Sequence, residues 1–343
     1  MLLGNSKFKN FFKNKKILIT GNTGFKGSWL SFFLINLEAT VYGYSINIPT
    51  KPSLYKLLKL DKNVKTTFGD VGDYTKFSKT INKLKPDIIF HLAAQSLVFE
   101  SYKQPYNTFL SNSLGTINLL EILSKYKKKN STVIITSDKC YDPSYKNIFN
   151  ENDRLGGIDP YSASKACAEI IYKSYYHTKL KYNKNSKSCT VRAGNVIGGG
   201  DWSKNRLLPD VINFINKGKN IIIRNPYANR PWQHVFEPIL GYIILSINLY
   251  NGKLNGESFN IGPSTKKNVN VLNLIKKIIL FSKSKSKIQV IKNRRYKETN
   301  QLNLDTKKIK NLTKWKKVLN LDETLKLIVD WIEKMLKFTK AIL

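Results

Sequence analysis

The sequence is poor in the residues that build metal centres and disulfide frameworks. Its 343 residues include three cysteines and three histidines. The cysteines, Cys140, Cys167 and Cys189, are odd in number and irregularly spaced. Such spacing favours neither a disulfide framework nor a zinc site. We therefore expect no metal ion and a reducing compartment, the cytoplasm.

Long apolar runs are missing as well. Every apolar run is far shorter than the ~20 residues that a membrane-spanning helix needs. Residues 1–16, MLLGNSKFKNFFKNKK, have neither the apolar core nor the small-residue cleavage site of a secretory signal. We therefore expect no membrane partner. Phe8, Phe11 and Phe12 lie among lysines, so residues 1–15 are interpreted as a helix that covers the domain or, alternatively, a helix on a membrane surface.

Arginine is scarce although the chain is strongly basic. Seven of the 58 basic residues are arginine, and the formal net charge is +35. The lysines are scattered beside asparagine and isoleucine, which is typical of a solvated surface, so no nucleic-acid partner is expected; a basic nucleic-acid-binding protein on a Rossmann scaffold is the distant alternative. Arginine makes planar, bidentate contacts that lysine cannot. We expect phosphate or a sugar nucleotide near Arg192, Arg206, Arg224 and Arg230.

From Lys16 onward, apolar runs alternate with helical patterns. Strands are predicted at 17–20, 40–44, 65–70, 87–94, 132–137 and 189–197, and helices near 25–37, 53–60, 105–128 and 160–180. This alternation predicts an α/β fold, a Rossmann-type doubly wound parallel sheet with a smaller C-terminal substrate-binding lobe. The predicted division is an N-terminal extension (1–15), a nucleotide-binding domain (16–197, with segments near 232–262 returning to it) and a lobe (198–231 and 263–343).

Three glycines follow the first strand in GxxGxxG spacing and precede an apolar helix. Such glycines permit a tight turn and bring a pyrophosphate to the helix N-terminus. The spacing resembles that of the short-chain dehydrogenases/reductases. That resemblance implies cofactor contacts from Gly21, Thr23, Gly24, Phe25, Lys26, Gly27, Asp70, Val71, Leu92, Ala93, Ala94 and Gln95. No acid ends the second strand, where Ser45 and Asn47 lie, so these residues do not themselves indicate the cofactor. The resemblance implies NAD, tightly bound and regenerated in each turnover, and NADP is the less favoured alternative.

Tyr161 and Lys165 stand four residues apart in YSASK, and so on one face of a predicted helix. An ammonium beside a phenol stabilises the phenolate and lowers its pKa from ~10 toward a value useful for a general base. We expect Tyr161 to take a proton from a sugar hydroxyl while hydride leaves the same carbon for the nicotinamide.

Ser137, Asp138 and Lys139 follow the fifth predicted strand, at the sheet edge where such folds bind ligands. Three segments resemble those of the CDP-glucose 4,6-dehydratases, which are extended members of the same family: TSDKCYD, RAGNVIGGGDW and RNPYANRPWQHV. The resemblance implies that Ser137 bonds the 4-oxygen and that Asp138 protonates the departing 6-hydroxyl. The related dTDP-glucose dehydratases have Glu in place of Lys139. Lys139 is interpreted as the base that takes the C5 proton, and it can do so only as a neutral amine, which requires a pKa lowered by burial or by nearby positive charge. Two alternatives stay open: Lys139 pairs with a carboxylate, and Asp138 is a solvated loop residue.

The same resemblance covers nearly the whole chain and implies conversion of CDP-glucose to CDP-4-keto-6-deoxyglucose and water, in deoxysugar biosynthesis. A 4-epimerase, a reductase or a dehydratase of a dTDP-, UDP- or GDP-sugar is the alternative. The expected substrate contacts are Asn195, Asp201, Trp202, Arg206, Arg224, Arg230, Trp232, Arg295 and Tyr296. Each tryptophan is equally a core candidate, and His234 is interpreted as a helix-start residue.

Family members associate through helices beside the active-site tyrosine, which implies a homodimer or a dimer of dimers. The interface is expected from residues 100–128 and 160–180. The apolar residues proposed for this face are Tyr102, Tyr106, Phe109 and Tyr172.

Overall fold

The computed structural model describes residues 6–263, 269–291 and 302–342. Helices among them, numbered α1 to α14 in chain order, span Ser6–Phe12, Phe25–Asn36, Leu54–Leu57, Leu60–Asn63, Tyr74–Leu84, Val98–Lys103, Pro105–Phe109, Gly115–Ser124, Pro160–Thr178, Leu207–Asn216, Phe236–Tyr250, Val271–Phe281, Lys307–Thr313 and Leu321–Ile342. Strands β1 to β15 span Lys16–Thr20, Thr40–Ser45, Lys65–Phe68, Ile88–His91, Asn130–Ile135, Ile148–Phe149, Ser186–Ala193, Val196–Ile197, Ile221–Ile223, Asn229–Arg230, Gln233–His234, Ser258–Ile261, Val269–Asn270, Ile288–Val290 and Asn303–Leu304. A short π-helix (Leu110–Leu114) joins α7 to α8, and 3-10 turns cover Asp138–Cys140 and Leu180–Tyr182.

Seven parallel strands form the central sheet in the order β12-β7-β5-β4-β1-β2-β3. The order runs from β1 outward in both directions, which is the doubly wound arrangement and confirms the predicted fold class. Helices cover both faces, so neighbouring residues of one strand enter different cores. Ile17 and Ile19 pack in the cluster that includes α2 and α11, whereas Leu18 between them packs with α5 and α8.

Several predicted boundaries are wrong. β5 begins at Asn130 and ends at Ile135, two residues before the predicted end, and β7 begins three residues earlier than predicted. The first two residues of β5 were not predicted because Asn130 and Ser131 are polar. In the structure both are buried and pair with β7. Helix α5 is absent from the predicted elements. The shift places Ser137, Asp138 and Lys139 beyond the strand, in and beside a 3-10 turn.

A third hydrophobic cluster lies apart from the sheet, in segments of the C-terminal half. It joins α10, β9, α12 and α14, and β9 pairs with β14 in parallel. Between these segments the chain returns to the sheet, since α11 packs on it and β12 pairs with β7. We propose on this basis the domain boundaries predicted above, with 198–231 and 263–343 as the lobe.

The N-terminal helix α1 packs on the domain. Phe12 is fully buried, and Phe8 and Phe11 are half-buried against the same cluster. The Phe11 ring meets the Tyr250 ring edge-on at 5.6 Å between centroids. Because its aromatic side chains contact the domain, α1 is the covering helix rather than a membrane-surface one. None of the described helices is long and apolar enough to cross a membrane.

Candidate active site

A cleft of about 2770 Å³ opens where the strands of the sheet end. Residues directly following β1, β2, β3, β4 and β5 line it, together with segments of the lobe. Parallel strands bring their carboxyl ends to one edge, where doubly wound folds bind ligands. The predicted site residues are therefore expected along this cleft.

The glycine turn between β1 and α2 forms part of the floor of this cleft. Gly21 has φ +72, a left-handed conformation that favours glycine. A Cβ on Gly27 would overlap the Gly21 carbonyl oxygen, so the helix start and the turn touch directly. A Cβ on Gly24 would meet only that oxygen, at 3.4 Å, and would otherwise enter the cleft. The turn thus leaves an open cradle at the uncapped N-terminus of α2, which fits a pyrophosphate.

The other predicted cofactor residues fall into two groups. Phe25, Asp70, Val71, Leu92, Ala93 and Ala94 line the cleft with the glycines. Thr23 and Gln95 also line it, but their side chains already have protein partners, as does that of Asp70, which accepts from the Gly72 amide at 2.8 Å. The Thr23 hydroxyl donates to the Asn47 carbonyl at 2.6 Å, and the Gln95 amide bonds both Leu97 and Thr108. These two side chains shape the walls of the cradle.

No carboxylate ends β2, as the sequence predicts. Ser45 is buried there and donates to the Asn22 side chain at 2.7 Å. Asn22 in turn donates to Thr66 on β3 at 2.8 Å. The position that carries the ribose-binding acid in many NAD-binding folds is therefore part of a polar network between β2, β3 and the glycine turn.

Tyr161 and Lys165 lie in the first turns of α9, which Asp159 caps by accepting a bond from the Ser162 amide at 3.0 Å. Both are buried, and only Tyr161 lines the cleft; the Lys165 Nζ donates to the Ile135 carbonyl at 3.3 Å. Burial raises the pKa of Tyr161 to about 12, and burial together with the charge of Lys26 lowers the pKa of Lys165 to about 7. The direction of the shift is opposite to the lowering of the phenol pKa predicted from the sequence, because burial disfavours both charged forms.

Ser137, Asp138 and Lys139 line the cleft beside Tyr161. The Ser137 hydroxyl donates to the Asp138 carboxyl at 3.1 Å and accepts from the Lys139 amide at 3.3 Å, and its proximity opposes the rise of the Tyr161 pKa. Asp138 is 3% exposed, which excludes a solvated loop residue. Burial raises the pKa of this carboxyl, against the charge of Lys139. Within the described residues the Lys139 ammonium takes part in no ion pair, so the paired-lysine alternative finds no support.

Lys26 lies with the predicted catalytic residues, although the sequence placed it only with the cofactor. Its side chain is in electrostatic contact with Asp138, Lys165 and Arg206. Burial and the charge of Arg206 lower the pKa of Lys26 to about 8. One signal was present in the sequence, because a lysine in the first turn of a helix opposes the helix dipole and needs a reason to be there.

The four clustered arginines have different surroundings. Arg206, Arg224 and Arg230 line the cleft, whereas Arg192 does not. Arg206 contacts Asp201 at 3.1 Å and the Ser96 hydroxyl at 3.1 Å, so it joins the lobe to the sheet edge. The expectation that Arg192 lies near phosphate is wrong, because its guanidinium is buried in an internal ion pair.

Both candidate tryptophans contact the protein core as well as the cleft. Trp232 is buried in the lobe cluster and its ring nitrogen donates to the Val269 carbonyl at 2.9 Å; Trp202 packs on Trp331. Asn195 lines the cleft. His234 Nδ1 accepts from the Phe236 amide at 3.3 Å at the start of α11, which agrees with the helix-start interpretation. Arg295 and Tyr296 lie outside the residues that the structure describes. The described part of the chain contains no cluster of side chains able to hold a metal ion.

Comparison with known proteins decides the family. Residues 18–328 match the family described as GDP-mannose 4,6 dehydratase. The chain belongs to this family. It is 41% identical to a CDP-glucose 4,6-dehydratase of Salmonella typhimurium, over 94% of this chain and 92% of the relative. The family is thus one of sugar-nucleotide dehydratases, in agreement with the resemblance seen in the sequence.

Solved structures agree on the fold. A UDP-glucose 4-epimerase of Thermotoga maritima superposes with a TM-score of 0.82 at 23% identity, covering 94% of this chain and 99% of that one. A dTDP-glucose 4,6-dehydratase of Bacillus anthracis, solved with NAD, gives 0.77 at 22% identity, covering 93% and 97%. Because epimerases and dehydratases share this fold, the reaction must be argued from the site.

The glycine cradle gives a testable prediction. Gly24→Ala is expected to weaken NAD binding about 10- to 100-fold, because the added methyl enters the cleft, while the melting temperature without cofactor stays within about 1 °C of the parent. Gly27→Ala is expected to lower the free energy of unfolding by about 1–3 kcal/mol, since backbone must shift to admit the methyl. Calorimetric titration and thermal unfolding of both variants check this. Equal destabilisation by the two substitutions would contradict the assignment of Gly24 to the cradle.

Proposed function

We propose that this protein is an NAD-dependent CDP-glucose 4,6-dehydratase, which forms CDP-4-keto-6-deoxyglucose and water. The observation that carries the proposal is the convergence of Tyr161 with Ser137, Asp138 and Lys139 on one cleft, beside the glycine cradle. The similarity to the Salmonella dehydratase supports the same reaction.

The residues suit the two halves of the elimination. When bound, NAD would take up hydrogen with its electron pair from C4 of the sugar and return it at C6. Tyr161 would accept the proton of the 4-hydroxyl in its phenolate form, and Ser137 would bond the 4-oxygen. The charge of Arg206 favours the Tyr161 phenolate, since it opposes the rise of the phenol pKa that burial causes. Sequence reasoning gave Arg206 only a substrate contact.

Water removal needs an acid and a base on either side of the C5–C6 bond. Asp138 has the raised pKa of a carboxyl that can hold a proton and donate it to the departing 6-hydroxyl. Lys139, which lines the cleft and lies outside any described ion pair, would as a neutral amine take the C5 proton and return it to C5 when hydrogen reaches C6. An epimerase needs neither group, so this pair is the specific reason to prefer a dehydratase over the 4-epimerase alternative.

The lobe supplies the groups that suit a nucleotide diphosphate. Arg224 and Arg230 line the cleft, and a guanidinium can bond two phosphate oxygens at once. Asn195, Trp202 and Trp232 line the same wall, and an indole ring provides a flat apolar surface for a base. We propose cytosine as that base, with GDP-, dTDP- and UDP-sugars as the alternatives.

The activity is tested with purified protein, NAD and a panel of CDP-, dTDP-, UDP- and GDP-glucose, with GDP-mannose included. We expect product only, or at least ~10-fold faster, with CDP-glucose, because unpaired polar groups in a base pocket reject the wrong base. The product has lost one water by mass and absorbs in alkali as a 4-keto sugar. An epimerised sugar of unchanged mass would favour the epimerase alternative, and no reaction with any sugar would refute the proposal.

A homodimer or dimer of dimers in the cytoplasm is proposed with this function. Tyr102 and Tyr106 are exposed beside α9, where Ile170 is 55% exposed, and Phe109 is half-buried. Tyr172 does not belong to this face, because it is buried in the core and donates to the Ser188 carbonyl at 2.6 Å. The three cysteines are free thiols, as suits a reducing compartment.

A further inference from the structure

A buried ion pair lies behind the cleft and has no part in the proposed chemistry. Glu169 on α9 and Arg192 on β7 approach to 2.7 Å, with both side chains almost fully buried. Burial alone raises the pKa of Glu169. The charge and hydrogen bond of Arg192 and the hydrogen bonds of Thr136 and Thr190 outweigh burial and leave this pKa below its usual value. The pair is therefore ionised in the folded protein.

Each member of this pair holds one end of the catalytic turn, by which we mean residues 137–140. Thr136, directly before the turn, donates its hydroxyl proton to the Glu169 carboxylate. Tyr141, directly after the turn, accepts from the Arg192 guanidinium at 2.8 Å. The two ends of the turn are thus joined to each other through one ion pair, and Glu169 joins them to the helix that carries Tyr161.

The backbone bonds within the turn are weak, and the Gly156 amide donates a shorter one to the Cys140 carbonyl at 2.9 Å from outside it. Its own backbone bonds, Cys140 amide to Ser137 carbonyl and Tyr141 amide to Asp138 carbonyl, are long at 3.2 and 3.3 Å. A 3-10 turn has poorer hydrogen-bond geometry than an α-helix. The Tyr141 hydroxyl is fully engaged by a second bond, donated to the Asn260 side chain at 2.7 Å, and its ring stacks on Phe149 at 4.8 Å.

We propose that Glu169 and Arg192, acting through Thr136 and Tyr141, are positioning residues that fix the catalytic turn against Tyr161. The proposal rests on the function proposed above and extends it to Glu169 and Arg192, which do not line the cleft. Displacement of a reacting group by about 1 Å costs on the order of 100-fold in rate. A buried ion pair is by contrast a weak source of stability, because desolvation offsets the attraction. The effect of the network is therefore expected in the rate rather than in the stability.

The experiment compares two single-atom changes with matched controls. Tyr141→Phe and Thr136→Val each remove one bond between the turn and the ion pair. Tyr172→Phe removes a bond of the same kind from a buried tyrosine of α9, and Thr132→Val removes the bond from Thr132 to Asn130 on β5, the strand that ends directly before Thr136. We expect the first two to lower kcat of CDP-glucose dehydration about 10- to 100-fold with KM changed less than about 3-fold. Each should lose no more melting temperature than its control.

Rescue and coupling separate positioning from a general loss of structure. Thr136→Ser keeps the hydroxyl and is expected to retain kcat within about 3-fold of the parent, whereas Thr136→Val does not. The double variant Thr136→Val, Tyr141→Phe is expected to lose less than the product of the two single losses, because both act through one ion pair.

Two failures are distinguishable. If the parent turns over CDP-glucose and Tyr141→Phe and Thr136→Val match their controls in kcat, the positioning role is wrong while the function stands. A fall in kcat that follows melting temperature equally in all four variants would also overturn it. If the parent turns over no sugar nucleotide, the proposed function fails and this role fails with it.

Discussion

Replacing Lys139 with methionine is expected to lower kcat of CDP-glucose dehydration by about 10³-fold, which is the usual contribution of a general base. Methionine keeps the length and apolar stem of the side chain and removes only the amine. Since no described carboxylate depends on Lys139 for an ion pair, the melting temperature should change by less than about 2 °C. Steady-state kinetics and thermal unfolding check both parts.

Lys103→Met is the matched control. Lys103 also lines the cleft, and its ammonium lies 4.9 Å from the centre of the Phe99 ring rather than beside Asp138. Its removal lowers the positive charge of the cleft equally and is expected to change kcat less than about 3-fold. A second measurement is the rate at which the C5 hydrogen of the sugar exchanges with deuterated water during turnover. Lys139→Met should lower this rate in parallel with kcat. Equal losses in the two variants would show that the charge of the cleft, and not a base at position 139, matters.

Lys165→Met is expected to abolish turnover and yet to raise the free energy of unfolding, by about 2–4 kcal/mol near pH 7. Lys165 is buried, and burial together with Lys26 lowers its pKa from 10.5 to about 7. The unfolded chain keeps its ordinary pKa, so between about pH 7 and 10.5 the unfolded state binds more protons than the folded state. The cost to stability is therefore full below about pH 7 and disappears as the pH rises toward 10.5. The advantage of the variant should shrink over the same range.

Chemical unfolding of parent and variant at several pH values from 7 to 9.5 measures this difference. Lys173→Met, at an exposed position of the same helix, is the control and is expected to change stability by less than about 0.5 kcal/mol at every pH. Lys165→Met that is less stable than the parent, or an advantage that does not depend on pH, would contradict a buried lysine kept at a cost. Loss of stability for the sake of a charged active-site group is a known trade-off in enzymes.

The cofactor half of the site was open to sequence reasoning because its signals are local. A strand, three glycines and a helix form one continuous stretch, and the left-handed Gly21 and the open face of Gly24 follow from it. Tyr161 and Lys165 were equally accessible, since a spacing of four residues fixes their common face on any helix. Their pKa values were not, because burial depends on what the rest of the chain places over them.

The arginines show the limit of reasoning from residue type. Arg192 and Arg230 are both buried, yet the first forms an ion pair between β7 and α9 while the second lines the cleft. The sequence could not separate them, because the partner of Arg192 lies 23 residues away on another element. Tyr172 was placed on an exposed face for the same reason, since periodicity along a helix does not say which apolar side is covered.

The sequence by itself determined the fold class and the glycine turn and predicted the candidate reacting side chains, because strand periodicity, turn chemistry and helical spacing act over a few residues. Only the tertiary structure decided their protonation, the electrostatic contact of Lys26 with Asp138 and the attachment of the catalytic turn to a buried ion pair. Desolvation and hydrogen bonds between distant segments create these properties, and neither exists until the chain has folded.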